Sequence, residues 1–215
     1  MPVLRGKEMA QEFHDENDLK TIEYLILLIL GKAGGEISVL HLQKIFFFLW
    51  KFHPEVRKLL EFVPHLKGPF SDDLDDSIKN PLYVVGCWKY LPPKNKSQAE
   101  RAKGGYLVIT DKGRETYKKL IEGLRKKALE DKDALALISA VELIVPLYSK
   151  LSWDELLFLL YTDETNKEYS IKSELSRDIL KNAESIVNRL VRKGVITEDM
   201  KDALIQRAKN ARWII

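Results

Sequence analysis

The chain has 215 residues, 45% of them hydrophobic and 31% charged, with 35 basic against 32 acidic side chains for a net charge of +3. That composition excludes a disordered or collagen-like chain. The length suffices for one large or two small domains whose core buries about 70% of the unfolded surface.

The longest apolar runs, Leu25 to Leu30 and Ile45 to Trp50, fall far short of the ~20 residues that a membrane span needs. Residues 1–18 mix charges of both signs and lack an apolar signal core. One cysteine, Cys87, cannot form an internal disulfide, and a free thiol suits a reducing compartment. These features predict a cytoplasmic protein with no membrane association.

In chain order, Asp18 is placed to cap a helix through Leu19, Ile22, Leu25, Ile26 and Ile29, which Gly34 and Gly35 break. Ser38 caps a second helix running to about His53 and stopped by Pro54. Residues 55–70 read as irregular, punctuated by Pro64 and by Gly68-Pro69. Ser71 then caps a short acidic helix that ends at Pro81.

Two strand candidates follow, Tyr83 to Leu91 and Gly105 to Thr110, both rich in β-branched and aromatic residues. The stretch between them reads as an exposed hairpin tip. Thr110 or Asp111 caps a long basic helix to about Lys127. Beyond it the pattern is helical: Leu129 to Leu147 interrupted by Pro146, a Ser152-to-Glu155 capping box opening a helix to Tyr161, and a helix from Ser170 or Ser173 to Val191. Gly194 is a natural stop, and a last helix follows Thr197.

The near-neutral total conceals an asymmetry. Between Lys89 and Lys127 there are twelve basic residues against four acidic ones, so the remainder of the chain is net acidic. A local basic field can attract phosphate while the rest repels it.

The element order is that of a winged helix-turn-helix, with the loop at about residues 91–104 as its wing. The segment Tyr106 to Arg114 resembles the strand-to-helix junction of winged-helix regulators, where Thr-x-x-Gly-Arg follows the second wing strand. Threonine caps the helix there, and glycine allows the hairpin backbone to approach the first turn. The fold expected is mainly α (α+β), with a winged-helix-like domain at 1–127 and a helical C-terminal part at 128–215.

The blocks Leu42-Gln43-Lys44-Ile45 and Lys67-Gly68-Pro69-Phe70-Ser71-Asp72-Asp73-Leu74 resemble the Leu-Gln-Lys … Gly-Pro-(Phe/Tyr)-Ser-x-x-Leu signature of the SocA-like (Panacea-type) and YwgA-like proteins. The two blocks span roughly residues 37–78. These are small prokaryotic and viral helical proteins, many of them antitoxins or regulators and some protein-recruiting adaptors. The resemblance implies regulation without a catalytic centre.

From the residues themselves, phosphate contact falls to Lys94, Lys96, Arg101 and Lys103 in the wing and to Lys112, Arg114 and Lys118 on the following helix. Arg114 and Lys118, four apart, are expected to share a face with the wing. Helix 38–53 is apolar nearly all round, which marks core or interface rather than a base-reading helix.

Asp72, Asp73, Asp75 and Asp76 suit a helix N-terminus better than a metal site. The four histidines and Cys87 form no zinc pattern, and a Cys87–His65 nucleophile pair would need proximity that spacing does not supply. No metal, cofactor or enzyme activity is expected. The partners expected are double-stranded DNA or, alternatively, a protein partner or a second copy of the chain, bound through apolar helices without DNA.

Overall fold

A computed structural model describes residues 16–93 and 97–212. Its elements in order are α1 (Glu16–Lys32), β1 (Glu36–Ser38), α2 (Val39–Phe52), α3 (Pro54–Leu59), β2 (Val63–His65), β3 (Gly68–Phe70), α4 (Asp72–Lys79), β4 (Trp88–Leu91), α5 (Gln98–Lys103), β5 (Tyr106–Ile109) and α6 (Asp111–Lys127). The C-terminal part follows with α7 (Lys132–Tyr148), α8 (Trp153–Tyr161), α9 (Lys167–Ile171), α10 (Ser176–Lys181), α11 (Ala183–Arg192) and α12 (Lys201–Arg212). Single 3₁₀ turns lie at Glu164–Asn166 and Glu198–Met200. The molecule is therefore mainly helical, with a three-stranded antiparallel sheet of order β1-β5-β4 and a separate β2–β3 hairpin.

The centre of the core is α2. Ser38 caps it as expected, its Oγ accepting the His41 amide at 3.2 Å, and eleven of the fourteen residues of α2 are buried. A helix with almost no solvent face must find partners on nearly all sides, and α1, α3, α7 and α8 all pack against α2 or its neighbours. The Phe47 ring meets Trp50, Phe62 and Tyr169, with centroids 5.7, 5.4 and 5.0 Å away, and Phe48 stacks on Tyr148 at 4.3 Å. Tyr148 and Tyr169 belong to α7 and α9, so one continuous hydrophobic core draws side chains from both sides of residue 127.

Two buried carboxylates fix the surrounding segments. The Glu23 side chain of α1, 1% exposed, accepts the amides of Leu82, Tyr83 and Val84 at 2.6–2.9 Å. Those three bonds hold 82–84 in a turn, so the strand expected from Tyr83 begins only at Trp88. Glu155 closes the expected capping box by accepting the Ser152 amide at 2.8 Å. It also takes bonds from Lys193 at 2.6 Å and Arg189 at 3.1 Å, which ties α8 to α11. Burial pushes the Glu155 carboxyl up, but the donors from Lys193, Ser152 and Arg189 outweigh it and hold the group at about 2.

Several expectations are corrected. Residues 55–70 are not irregular. Pro54 opens α3, since a proline at the first helical position gives up only an amide that has no intrahelical partner. The β2–β3 hairpin follows, with Pro64 opposite Pro69. Pro146 does not interrupt α7, which continues to Tyr148. Only the bond to the Glu142 carbonyl is forgone, on a turn that faces solvent. The single helix expected up to Val191 is instead three pieces, α9, α10 and α11.

The predicted wing also differs. Residues 98–103 form α5, whose Ala102 is buried, and α5 packs on α2 and α8. Lys67 donates to the Arg101 carbonyl, and Tyr90 Oη donates to the Gly104 carbonyl at 3.1 Å. This part of the loop is folded onto the body rather than held out as a tip.

Among the described residues no single helix is long and apolar enough to cross a membrane. The helices α7 and α8 together carry the apolar length, but they are bent 118° from each other and both feed the core.

Candidate nucleic-acid interface

The junction from β5 into α6 is built as its sequence suggests. Thr110 Oγ1 accepts the Gly113 amide at 3.1 Å and donates to the Gly86 carbonyl at 2.6 Å. Gly113 sits where a Cβ would lie 1.9 Å from the Cys87 carbonyl oxygen, so only glycine lets the first turn of α6 press against the hairpin. One face of α6 then rests on α1 and α7 through Tyr117, Leu120, Ile121 and Leu124. The opposite face is left to Lys112, Arg114, Lys118, Lys119, Arg125, Lys126 and Lys127, all exposed.

These cations are not equivalent. Lys112 Nζ is held by the Val85 carbonyl at 2.6 Å. Arg125 pairs with Glu142 at 2.9 Å, and Lys127 with Asp131 at 3.1 Å. Arg114, Lys118, Lys119 and Lys126 form no ion pair with another described residue. The structure thus brings Lys112, Arg114 and Lys118 together on one helix.

Lys94 and Lys96 lie outside the described residues. Arg101 is exposed on α5, but Lys103 is half-buried, with its ammonium 5.5 Å over the Tyr106 ring. Both sit near the Leu91–Tyr106 end of the hairpin, whereas α6 starts at the Trp88–Ile109 end. Three residues of strand, about 10 Å, separate the ends, so the hairpin does not bring the loop cations alongside α6.

The remaining sequence candidates find plain structural roles. Gln43 Nε2 donates to the Ser71 carbonyl at 3.0 Å and Gln43 Oε1 accepts the Ser71 amide at 3.0 Å. Lys44 Nζ donates to the Pro69 carbonyl at 2.7 Å, close beside Gly68, whose φ of +84° is the left-handed value that the β2–β3 turn requires. The Gln-Lys block therefore clamps the Gly-Pro-Phe-Ser block from inside the core. Full burial, with a smaller push from Lys67, lowers the Lys44 ammonium to about 7.

Cys87 is buried, with its thiol toward Thr116 at 3.7 Å, while His65 is exposed and stacked on Phe70. No hydrogen bond joins the two. Asp72, Asp73 and Asp75 occupy the first turn of α4, and no cluster of metal-ligating side chains occurs among the described residues.

Sequence reasoning missed a cleft of about 360 Å³ between the outer face of the sheet and the α7–α8 turn, lined by Glu36, Ser38, His41, Lys103, Tyr106 and Trp153 among others. His41 Nε2 lies 2.8 Å from the Leu151 carbonyl, which can only accept, so Nε2 carries the proton. Nδ1, 2.6 Å from Ser38 Oγ, is then the acceptor. Burial lowers the His41 pKa; the Leu151 carbonyl opposes this, and the Lys103 and Lys44 charges add to it. The ring is a neutral wall of the cleft. Histidine three residues after the helix-capping serine was the one local signal for it.

Comparison with known proteins found no matching family model, no matching curated protein and no matching solved structure.

Proposed function

We propose that the protein is a non-enzymatic, antitoxin-like regulatory protein that associates with double-stranded DNA through phosphate contacts made by α6. The observation that carries this reading is the set of exposed α6 cations Arg114, Lys118, Lys119 and Lys126, which form no ion pair with another described residue. From 114 to 126 an α-helix rises about 18 Å. That length meets several phosphates of a duplex carrying one charge per ~3.4 Å of each strand.

A winged-helix arrangement is supported by the sheet order β1-β5-β4 and by the run α1, β1, α2, α3, α4, β4, β5, α6, into which the β2–β3 hairpin and α5 are inserted. Kinship with the SocA-like and YwgA-like proteins is supported by the bonds joining Gln43 and Lys44 to residues 69–71. In such an arrangement α4 occupies the reading position, and its first turn carries Asp72, Asp73 and Asp75. Carboxylates there repel a groove lined by phosphate, so the contact proposed is with backbone and not with base sequence.

The second reading, a protein partner or homodimer, is favoured by apolar side chains that α7 leaves uncovered. Leu143 is 70% exposed and Leu135 51%, with Leu129 just before the helix at 85%.

The test is fluorescence anisotropy with random-sequence duplex across a salt series, comparing wild type with a variant carrying Arg114, Lys118, Lys119 and Lys126 all changed to Ala. Wild type is expected to bind, and the log–log salt slope should flatten by about 0.9 for each phosphate contact removed. Absence of binding near 50 mM salt, or a slope unchanged in the variant, would overturn the reading. Self-association in sedimentation, abolished by Leu143→Glu, would then establish the second.

A further inference from the structure

The sheet order makes β1 an edge strand, and its register fixes which way its main chain points. Ile109 N–H donates to the Gly35 carbonyl at 2.8 Å, and Val39 N–H donates to the Gly105 carbonyl at 3.0 Å. Bonded and non-bonded pairs alternate along an antiparallel ladder, so between these two positions Ile37 and Leu107 form the bonded pair. Glu36 and Ser38, opposite Val108 and Tyr106, therefore turn their N–H and C=O groups away from β5. The Ser38 carbonyl belongs to the first turn of α2 as that of its N-cap. Glu36 N–H, Glu36 C=O and Ser38 N–H remain. No second strand lies beyond them, and no hydrogen bond from another described residue takes them up.

The cleft of about 360 Å³ runs along this edge. Glu36, Ile37 and Ser38 all line it. Successive side chains of a strand point to opposite faces, so three consecutive residues share one cleft only where it follows the strand's edge. Leu151, Ser152 and Trp153 stand across from them. Unpaired edge groups are a template for another strand, and a three-residue edge offers about 10 Å of it.

Charge selects the side chain that such a strand would bring. Glu36 is exposed and forms no ion pair with a described residue. A residue directly across from it would stand about 5 Å away, within reach of a salt bridge from Lys or Arg. The ammonium of Lys103 is already engaged over the Tyr106 ring, at the Ser38 end of the strand, and takes no part.

We propose that the cleft takes up an extended segment of a partner protein as a strand beside β1, with a lysine or arginine of that segment facing Glu36. The main-chain groups of Glu36 and Ser38 supply affinity, and the Glu36 carboxylate supplies selectivity. The Ser38–His41 pair, saturated by its own bonds and by Leu151, serves as a fixed wall. The proposal rests neither on the α6 cations nor on Leu135 and Leu143 of α7, none of which lines the cleft.

The test is selection on the immobilised full chain from a displayed library of random heptapeptides. The enriched sequence is then measured by fluorescence anisotropy as a labelled synthetic peptide. It should carry a Lys or Arg among β-branched residues. Glu36→Ala in the protein should weaken binding about tenfold, as should Glu in place of that Lys or Arg in the peptide. N-methylation of the peptide main chain probes the pairing without altering the protein. Moved residue by residue, a single methyl group should weaken binding about tenfold at alternate positions, those facing β1, and leave it within about twofold at those between. Glu36 is exposed, so thermal unfolding of Glu36→Ala should match wild type. The quadruple α6 variant and Leu143→Glu should bind the peptide as wild type does, which separates failure of this proposal from failure of the DNA or homodimer reading. No enriched peptide, affinity unchanged in Glu36→Ala, or an equal loss wherever the methyl group is placed would each overturn it.

Discussion

Lys44 and Lys118 are the same residue type on long helices, and they do opposite things. Helix α2 has almost no solvent face, so a polar side chain on it must be satisfied inside the protein or not at all. Lys44 is 1% exposed and spends its ammonium on a single carbonyl, that of Pro69, while its neighbour Gln43 spends both amide atoms on Ser71. Helix α6 has one packed face and one wet face, and Lys118 stands in water with no ionic partner among the described residues. The buried polar residues join segments of the fold to one another; the exposed ones remain available to something outside it. Charge alone does not separate the two roles, whereas the hydrophobicity of the surrounding helix does.

The change that strains this contrast most is Gln43→Ala. It removes two bonds at once and leaves the amide and carbonyl of Ser71 in a site where the residue is 1% exposed. With about 1–3 kcal/mol for each stranded group, the expected loss is about 3 kcal/mol in chemical denaturation. A loss well under ~1 kcal/mol would mean that α2 and β3 stay registered without the clamp.

Lys44 makes a subtler case, because its contribution depends on pH. Its folded value of about 7 lies below the ordinary 10.5. Between those values the unfolded chain binds a proton that the folded protein does not, so stability rises with pH across that window. It is lost as pH falls toward 7, and below that the contribution is flat. The limiting slope is about 1.4 kcal/mol per pH unit. Lys44→Met should remove that slope while other titrating groups contribute equally to both proteins. The measurement is the difference in urea stability between wild type and variant at several pH values from about 7.5 to 9.5. A constant difference would place Lys44 in contact with water.

What could be read from the sequence was local. Ser38, Thr110 and the Ser152–Glu155 box all cap where expected, because each cap involves residues two or three apart. The β2–β3 hairpin was not legible. Its strands are three residues long, and its support comes from Tyr169 and Ser173, which bond to the Phe62 and Leu66 carbonyls from 107 residues away. The helix within the supposed wing was missed for the same reason, since Ala102 is buried by α2 and α8 and not by its own neighbours. The basic side chains of α6 could be listed in advance. Their separation from Arg101 and Lys103 along the hairpin could not, nor could a cleft in which His41 meets a carbonyl 110 residues later.

The smallest expected effect is on the wet side of the contrast. Changing Arg114, Lys118 and Lys119 together to Ala removes three cations that no described partner neutralises. Alanine is the best helix former, and Arg114 and Lys118 are like charges four apart, an arrangement that costs a few tenths of a kcal/mol. Thermal or urea stability should therefore stay within about 0.5 kcal/mol of wild type. Arg125→Ala offers a calibration on the same helix, because it breaks an exposed pair with Glu142 and should cost about 0.2–1 kcal/mol. If the triple change cost more than Arg125→Ala, the α6 cations would be part of the fold after all, and a loss of DNA binding in the same variant would report unfolding instead of a lost contact. If it cost nothing while the salt slope flattened, the two kinds of lysine would be separated by measurement as they are by burial.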